Sequence, residues 1–417
     1  MTRQNPRTLP LAEAARLPLW RQPVSLLFLM AVAMPLAFST WSALLNNFVI
    51  EMAGFTGVQI GWLHTVREIP GLLAVAVLAI LLLFREQAVA GWMLVLLGAS
   101  TAVTAWFPGL TGIMLVTLLS SIGFHYYETV NQSLQLQWID RSRAPRTLGW
   151  LVAAGSGASL LAYGCIVLTW KSLGLSYNTV YMASGGLCVL IALFCLIAYP
   201  RFEAPHPQRK SIVLRRRYWL YYALQIMAGA RRQIFVVFAA FMMVEKFGFG
   251  VEEVTALMLI TFVSNMVIGP VLGRLVSRFG EQTAMLIEYG GLFFVFLAYG
   301  GLYWYDWGIG VASALYVIDN MFFAMAFSQK TYIQKIGDPA DMAPTAAVAF
   351  TINHIAAVFL PALLGYLWVT APSSVFALAA GMAGVSFLLA LLVPRHPGPG
   401  NETRLGNRSG WAAIPAE

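Results

Sequence analysis

The chain has 417 residues, of which 59% are hydrophobic and 11% charged, with a formal net charge of +8. That apolar excess excludes a soluble domain of ordinary make-up. In a soluble chain the positive balance would suggest nucleic acid, but here the basic residues sit in the connections between apolar stretches and report membrane topology instead.

Twelve stretches are long enough, at about 20 residues, to cross a hydrocarbon core of about 30 Å. They are predicted as helices 1 to 12 near 24–50, 57–84, 87–107, 110–137, 147–170, 178–200, 218–244, 253–277, 282–304, 308–333, 343–369 and 373–394. The basic residues occupy alternate connections: Arg3, Arg7, Arg16 and Arg21 before helix 1, Arg85, then Arg141, Arg143 and Arg146, then Arg201 to Arg217, then Arg274 and Arg278, Lys330 and Lys335, and the C-terminal tail. Only Lys171 and Lys246 fall in the other set. By the positive-inside rule both termini are expected in the cytoplasm, which requires an even number of spans. No cleavable signal peptide is expected, because the first apolar run follows a long leader containing Pro and Arg and exceeds a signal core. Cys165, Cys188 and Cys195 all fall inside predicted helices without metal-ligand spacing, and are read as small core residues. No metal or cofactor is expected.

An internal repeat divides the chain. EMAGFTGVQIGWL at Glu51 recurs as EKFGFGVEEVTAL at Glu245, matching Glu51, Gly54, Phe55 and Leu63 to Glu245, Gly248, Phe249 and Leu257. FREQAVA at Phe84 answers FGEQTAM at Phe279, and NQSLQLQWID at Asn131 answers SQKTYIQKIGD at Ser328. Two six-helix halves in one orientation account for an offset of about 195 residues in all three pairs. The expected organisation is a tail at 1–22, a six-helix bundle at 23–200, a polar linker at 201–217 rich in Pro and Arg, a second bundle at 218–394 and a tail at 395–417.

Between helices 8 and 9 the sequence reads GRLVSRFGEQ from Gly273. This resembles the cytoplasmic loop signature of the major facilitator superfamily of secondary transporters. Gly273, Arg278 and Gly280 fit it, Ser277 stands where an acidic residue is expected, and Glu281 and Gln282 replace a basic pair. The corresponding loop of the first half, LLLFREQ, keeps Arg85 and Glu86 without the glycines. The resemblance implies an all-α membrane protein of 12 transmembrane helices in two six-helix bundles that rock about a central site. It also implies that helices 1, 4, 7 and 10 line the cavity and that the loop residues Gly273, Arg278 and Gly280 act in gating. Helix 5, GWLVAAGSGASLLAYG, lacks the proline-containing glycine motif of drug–proton antiporters; its glycines suit close helix packing. Sugar-porter loop signatures are not recognisable.

Polar residues at mid-membrane depth are costly, an arginine at the centre of a lone helix by at least about 2.5 kcal/mol, and so mark a pathway or a fixed pairing. In helix 2, His64, Arg67 and Glu68 share a face; Arg67 and Glu68 are candidates for an outer gate or for a local ion pair. In helix 4, His125, Glu128, Gln132 and Gln135 form a polar stripe. His125 and Gln132 are candidate substrate ligands, and Glu128 is the first candidate for proton coupling, against a fixed ion pair. Helix 7 carries Arg231 and Arg232, which point about 100° apart. One is expected to bind Asp319 of helix 10 while the other faces the cavity, and both are candidate substrate ligands. Asp319 is the second proton-coupling candidate, with a static pair to helix 7 as its alternative. Asn320 and Asn353 are further candidate ligands; Asn353, with Asn265 and His354, suits helix-to-helix hydrogen bonding as well.

The mid-membrane charges number three arginines, Arg67, Arg231 and Arg232, against three carboxylates, Glu68, Glu128 and Asp319. Protonating one carboxylate would leave the site positive and receptive to an anion, and guanidinium forks match carboxylate and phosphate geometry. The leading expectation is a proton-coupled secondary transporter of a small polar organic anion or zwitterion, not an enzyme. It is expected to work as a monomer in the lipid bilayer of the cell membrane, with protons and a small-molecule substrate as partners and no nucleic acid. Trp41, Tyr126, Tyr127, Phe235, Tyr316 and Phe323 leave an exporter of hydrophobic compounds as the alternative. A polytopic membrane enzyme or sensor comes third, since no nucleophile–base pair, metal cluster or nucleotide loop is evident.

Overall fold

The computed structural model describes residues 8–139, 144–203, 214–338 and 342–405. Most of the 201–217 linker and the outer parts of both tails lie outside these residues, as do Arg141 and Arg143. Among the described residues the ordered structure is helical, with no strand beyond the isolated bridges Leu9–Phe202 and Gly398–Asn401.

Among the described residues, eleven helices are long and apolar enough to cross a membrane. The expected single span at 57–84 departs from this pattern: it forms Gly57–Leu72 and Val77–Leu83, joined through a 3-10 turn at Ala74–Ala76. Pro70 removes a backbone donor and Gly71 lowers the local helix preference, so the ladder gives way just after them. Helices 8 and 9 run as Val251–Trp304 with a break at Gly280, whose φ of 83° and ψ of 166° only glycine adopts without strain. Helix 7 begins as Trp219–Gln233, passes through a π-helical turn at Ile234–Ala239 and ends as Ala240–Glu245. Helix 10 is likewise divided, into Ile309–Phe323, a 3-10 turn at Ala324–Ala326, and Phe327–Ile336. Large apolar side chains such as Leu168, Ile197, Phe294 and Leu388 are exposed, which suits lipid and not water.

The chain forms two compact units. One comprises the described residues of 1–54, 66–209 and 249–256, and the other those of 55–65, 210–248 and 257–417. In the first, the core is built on helices 1, 3, 4 and 6 around Leu27, Leu94, Tyr127 and Cys188. Asn47 donates to the Phe249 carbonyl at 2.7 Å. Lys171 pairs with Glu252 and Glu253, and its hydrogen bond to Glu252, with the charge of Glu253, holds the Lys171 amine above its ordinary value.

In the second unit the segment 55–65 lies directly on helix 11. A Cβ at Gly61 would come 2.2 Å from the Pro361 carbonyl oxygen, and one at Gly365 would come 2.4 Å from that of Gly57. Only glycines permit so close a crossing. The Thr65 hydroxyl adds a 2.7 Å bond to the Val358 carbonyl.

The sequence repeat has a structural counterpart inside each unit. Gly54 and Gly248 both take left-handed φ values, 62° and 68°, and each closes a helix by donating to the carbonyl four residues earlier, Ile50 or Val244. Glu51 accepts a 2.8 Å bond from the Tyr177 hydroxyl, and Glu245 a 2.7 Å bond from the Trp368 indole.

Candidate functional site

In the second unit, helix 7 separates its two arginines by the turn of the helix. Arg231 is fully buried, while Arg232 is exposed. The Arg231 guanidinium lies 3.6 Å from a Glu288 oxygen of helix 9 and 4.3 Å from the Tyr289 ring centroid, so charge and ring quadrupole act on it together. Its charge acts also on Asp319, which is fully buried against Tyr299. Gln329 donates to the Tyr289 hydroxyl at 2.8 Å and accepts from Gln225 at 2.9 Å, joining helices 9, 10 and 7 in one polar chain.

Glu288 was absent from the charge count read off the sequence, where a lone acid is averaged away in the apolar run 282–304. It raises the carboxylates to four against three arginines and makes the set negative, not neutral. It is also the carboxylate at ion-pair distance from Arg231, a place the sequence reading gave to Asp319.

Asn320 and Asn353 of this unit make hydrogen bonds between helices. Asn320 accepts a hydrogen bond from Asn265. Asn353 donates to the Gln225 carbonyl at 3.4 Å, beside Gly229, where a Cβ would meet its backbone at 2.5 Å. Gly273 lies in the helix before the Gly280 break, and Arg278 is exposed near the Phe279 ring. Around the break, Glu281 pairs with Lys335 at 2.6 Å, and Gln282 accepts from Arg404 of the C-terminal tail at 2.8 Å. Basic groups thus reach this loop from helix 10 and from the tail, where the resembled signature carries its own.

In the first unit, Arg67 and Glu68 form a close pair, 2.5 Å from Nη2 to Oε1, with the guanidinium 5.9 Å from the Trp41 ring centroid. The Arg67 carbonyl accepts from the Ser121 hydroxyl of helix 4. Along helix 4 His125 is buried with its ring 5.0 Å from that of Phe124, Glu128 and Gln135 are half-buried, and Gln132 is exposed. Glu86 is held by Ser133 and Gln137 at 3.1 and 2.7 Å.

Charged residues buried within lipid-length helices in two repeated halves are the marks of a carrier. A profile of the Major Facilitator Superfamily matches residues 25–361. The chain belongs to the major facilitator superfamily. As a member it is a multi-pass membrane transporter of small molecules, not an enzyme. No curated protein matches it by sequence. Among solved structures it is similar to a mutant of the nucleoside transporter NupG at 15% identity, with a TM-score of 0.73 and coverage of 89% of this chain and 99% of that one. A bacterial homologue of the iron transporter ferroportin, inward-facing, gives 11% identity, a TM-score of 0.68 and coverage of 90% and 99%. A bacterial homologue of the lysosomal transporter Spinster gives 12%, 0.65, 88% and 95%. At such identities the likeness is one of fold.

Proposed function

We propose that this superfamily member is a proton-coupled secondary transporter that moves a small polar organic anion or zwitterion by alternating access. It would act as a monomer in the cell membrane, the inner membrane if the source is bacterial, with both termini and the 201–217 linker in the cytoplasm. The observation that carries the reading is the fully buried Arg231 beside Glu288 and Asp319 in helices otherwise apolar. A transporter retains such costly groups where charge or protons are moved.

Arg232, exposed on the same helix, supplies a guanidinium fork for a substrate carboxylate or phosphate. Glu128, half-buried between packed His125 and exposed Gln132, is suited to exchange a proton as its surroundings alternate between wet and closed. Asp319 is the second coupling group. Arg67 and Glu68 act at a gate as a pair. The exporter reading loses ground because Tyr127, Phe235 and Tyr316 are buried packing residues; Phe235 stacks obliquely on Tyr316 and Phe323 at 4.9 and 5.6 Å.

The deciding experiment uses proteoliposomes and a substrate found by thermal shift among carboxylates, amino acids, phosphate esters and nucleosides. A ligand at 100 times its dissociation constant adds about 2.7 kcal/mol of stability. Glu128→Gln should abolish accumulation driven by a pH gradient while substrate exchange persists. Accumulation by that variant at the original level would exclude Glu128 as the coupling group, and a wild-type protein indifferent to a pH gradient would exclude proton coupling.

A further inference from the structure

Within the first unit, the chain before helix 1 folds onto the end of helix 6. Leu19–Arg21 form a single 3-10 turn just ahead of helix 1. Gln22 secures this turn by donating to the Ala15 and Leu17 carbonyls at 3.3 and 3.0 Å. The Tyr199 hydroxyl donates to the Trp20 carbonyl, and Arg21 Nε donates to the Ala198 carbonyl at 3.1 Å. Trp20 stacks on Phe194 with centroids 6.4 Å apart, and Tyr199 meets the two rings edge-on at 6.4 and 6.2 Å. The guanidinium carbon of Arg21 lies 5.6 Å from the Trp20 ring centroid.

This corner joins an apolar surface to a cation. Leu19 and Ile197 are 79% and 82% exposed, and Trp20 and Phe194 are exposed with them. Helix 6, Tyr177–Ala198, is long enough to span the hydrocarbon, so its last turn falls at the level of the headgroups, where Trp and Tyr collect. Arg21 Nε satisfies a carbonyl that the end of helix 6 leaves without a partner. Its two Nη groups have no hydrogen-bond partner among the described residues. A guanidinium held by one nitrogen keeps the rest of its fork for an oxyanion, and phosphate matches that fork. Arg16 and Arg201 are exposed in the same two segments, and Arg201 is tied to the tail by the Leu9 amide, which donates to its carbonyl at 2.8 Å. Glu13 and Glu203, the acids of these segments, are exposed and form no ion pair with the three arginines among the described residues.

We infer that the corner formed by Trp20, Arg21, Phe194 and Ile197 is a binding surface for an anionic phospholipid. The lipid phosphate sits on the Nη groups of Arg21, Arg201 and Arg16 add positive charge around it, and an acyl chain lies along Trp20, Phe194 and Ile197. A purely structural Arg21 would stop at the helix 6 carbonyl and would leave the exposed indole and the remaining fork unused. The lipid belongs to the leaflet that meets this end of the first unit, which the topology proposed above makes the cytoplasmic one, where anionic lipids are concentrated. The surface is independent of what the chain transports.

Quenching of tryptophan fluorescence by lipids with brominated acyl chains reads the contact directly. The full-length protein is placed in mixed micelles containing brominated phosphatidylglycerol or brominated phosphatidylcholine, and the signal of Trp20 is the part that Trp20→Phe removes. That variant keeps the backbone carbonyl to which Tyr199 donates. Half-quenching of the Trp20 signal should need a smaller mole fraction of phosphatidylglycerol than of phosphatidylcholine, and added salt should narrow the difference. Arg21→Gln should raise the phosphatidylglycerol fraction about fivefold, the weight of one basic residue at an anionic surface, and leave that of phosphatidylcholine unchanged. Arg201→Gln should act in the same direction, and because its side chain is exposed it serves if Arg21→Gln fails to fold.

Equal half-quenching fractions for the two lipids in the parent protein would reduce the corner to ordinary contact with the bilayer and overturn the proposal. A preference for phosphatidylglycerol that survives in both arginine variants would overturn it as well, since the charge would then come from elsewhere. Loss of the preference on adding an excess of inorganic phosphate, at an ionic strength held constant with chloride, would assign the arginines to a free anion and not to a lipid.

Discussion

Arg231 and Arg232 are neighbours in sequence with opposite fates, and replacement should separate them. Arg231 is enclosed with Glu288 and Asp319 and lies over the Tyr289 ring. Removing it strands two buried acids, and breaking a buried pair from one side commonly costs about 3–5 kcal/mol. Arg231→Ala should therefore lower the melting temperature in detergent and the yield of folded protein. Arg232 is exposed, and Arg232→Ala should leave the melting temperature close to that of the parent while substrate affinity falls. A truncation at a charge-assisted contact of about 1.5–3 kcal/mol weakens binding roughly 10- to 150-fold. An Arg232→Ala protein that transports normally would remove this residue from the site. The sequence revealed the depth of both arginines but not their division of labour, because 100° of helical rotation says that they diverge without saying which one meets an acid. Glu288 escaped the sequence reading for a related reason: one carboxylate in a strongly apolar window leaves no periodic trace.

At the scale of elements, hydropathy indicated most helices, because span length is set by the bilayer and not by partners. Interruptions were harder to foresee. Pro70 and Gly71 were visible, yet an apolar stretch long enough to span hides a break at 74–76. The π-turn at Ile234–Ala239 has no signature at all, since IFVVFA is uniformly apolar. π-turns often sit at functional positions, and this one directly follows the arginine pair. Nor does sequence reveal that 55–65 packs on helix 11; two glycines three or four residues apart are common in membrane helices. The crossing makes a sharp prediction. Gly61 faces the Pro361 carbonyl, a backbone atom with no rotamer into which to retreat. Gly61→Val should therefore lower stability by about 1–3 kcal/mol or more, as overpacking does, seen as a lower melting temperature. Gly157 has nothing within 4 Å of an added Cβ, so Gly157→Ala is the control and should change little. Equal stability of both variants would mean that the helices do not approach this closely.

For the whole molecule, the repeat joins sequence to architecture. The matched residues Glu51 and Gly54, and Glu245 and Gly248, recur as the same device: a helix closed by a left-handed glycine, with a glutamate tied to an aromatic donor. Under the proposed two-half topology an even number of crossings separates equivalent positions, and both ends and the linker fall on one face of the membrane. The proposed cytoplasmic placement of that face rests on the arginines from Arg201 to Arg217, because translocating them would oppose the membrane potential at about 2.3 kcal/mol per charge for each 100 mV. A single cysteine can be placed at Gln208 in a variant whose Cys165, Cys188 and Cys195 are replaced by alanine. In intact cells an impermeant maleimide should leave it unlabelled, and in inverted vesicles the same reagent should label it fully. A companion cysteine at Ser172, in the connection carrying Lys171, should give the reverse pattern. Labelling of Gln208→Cys from outside would invert the topology, and labelling of both positions from one side would require an odd number of crossings between them to be abandoned, and with it the two-half architecture.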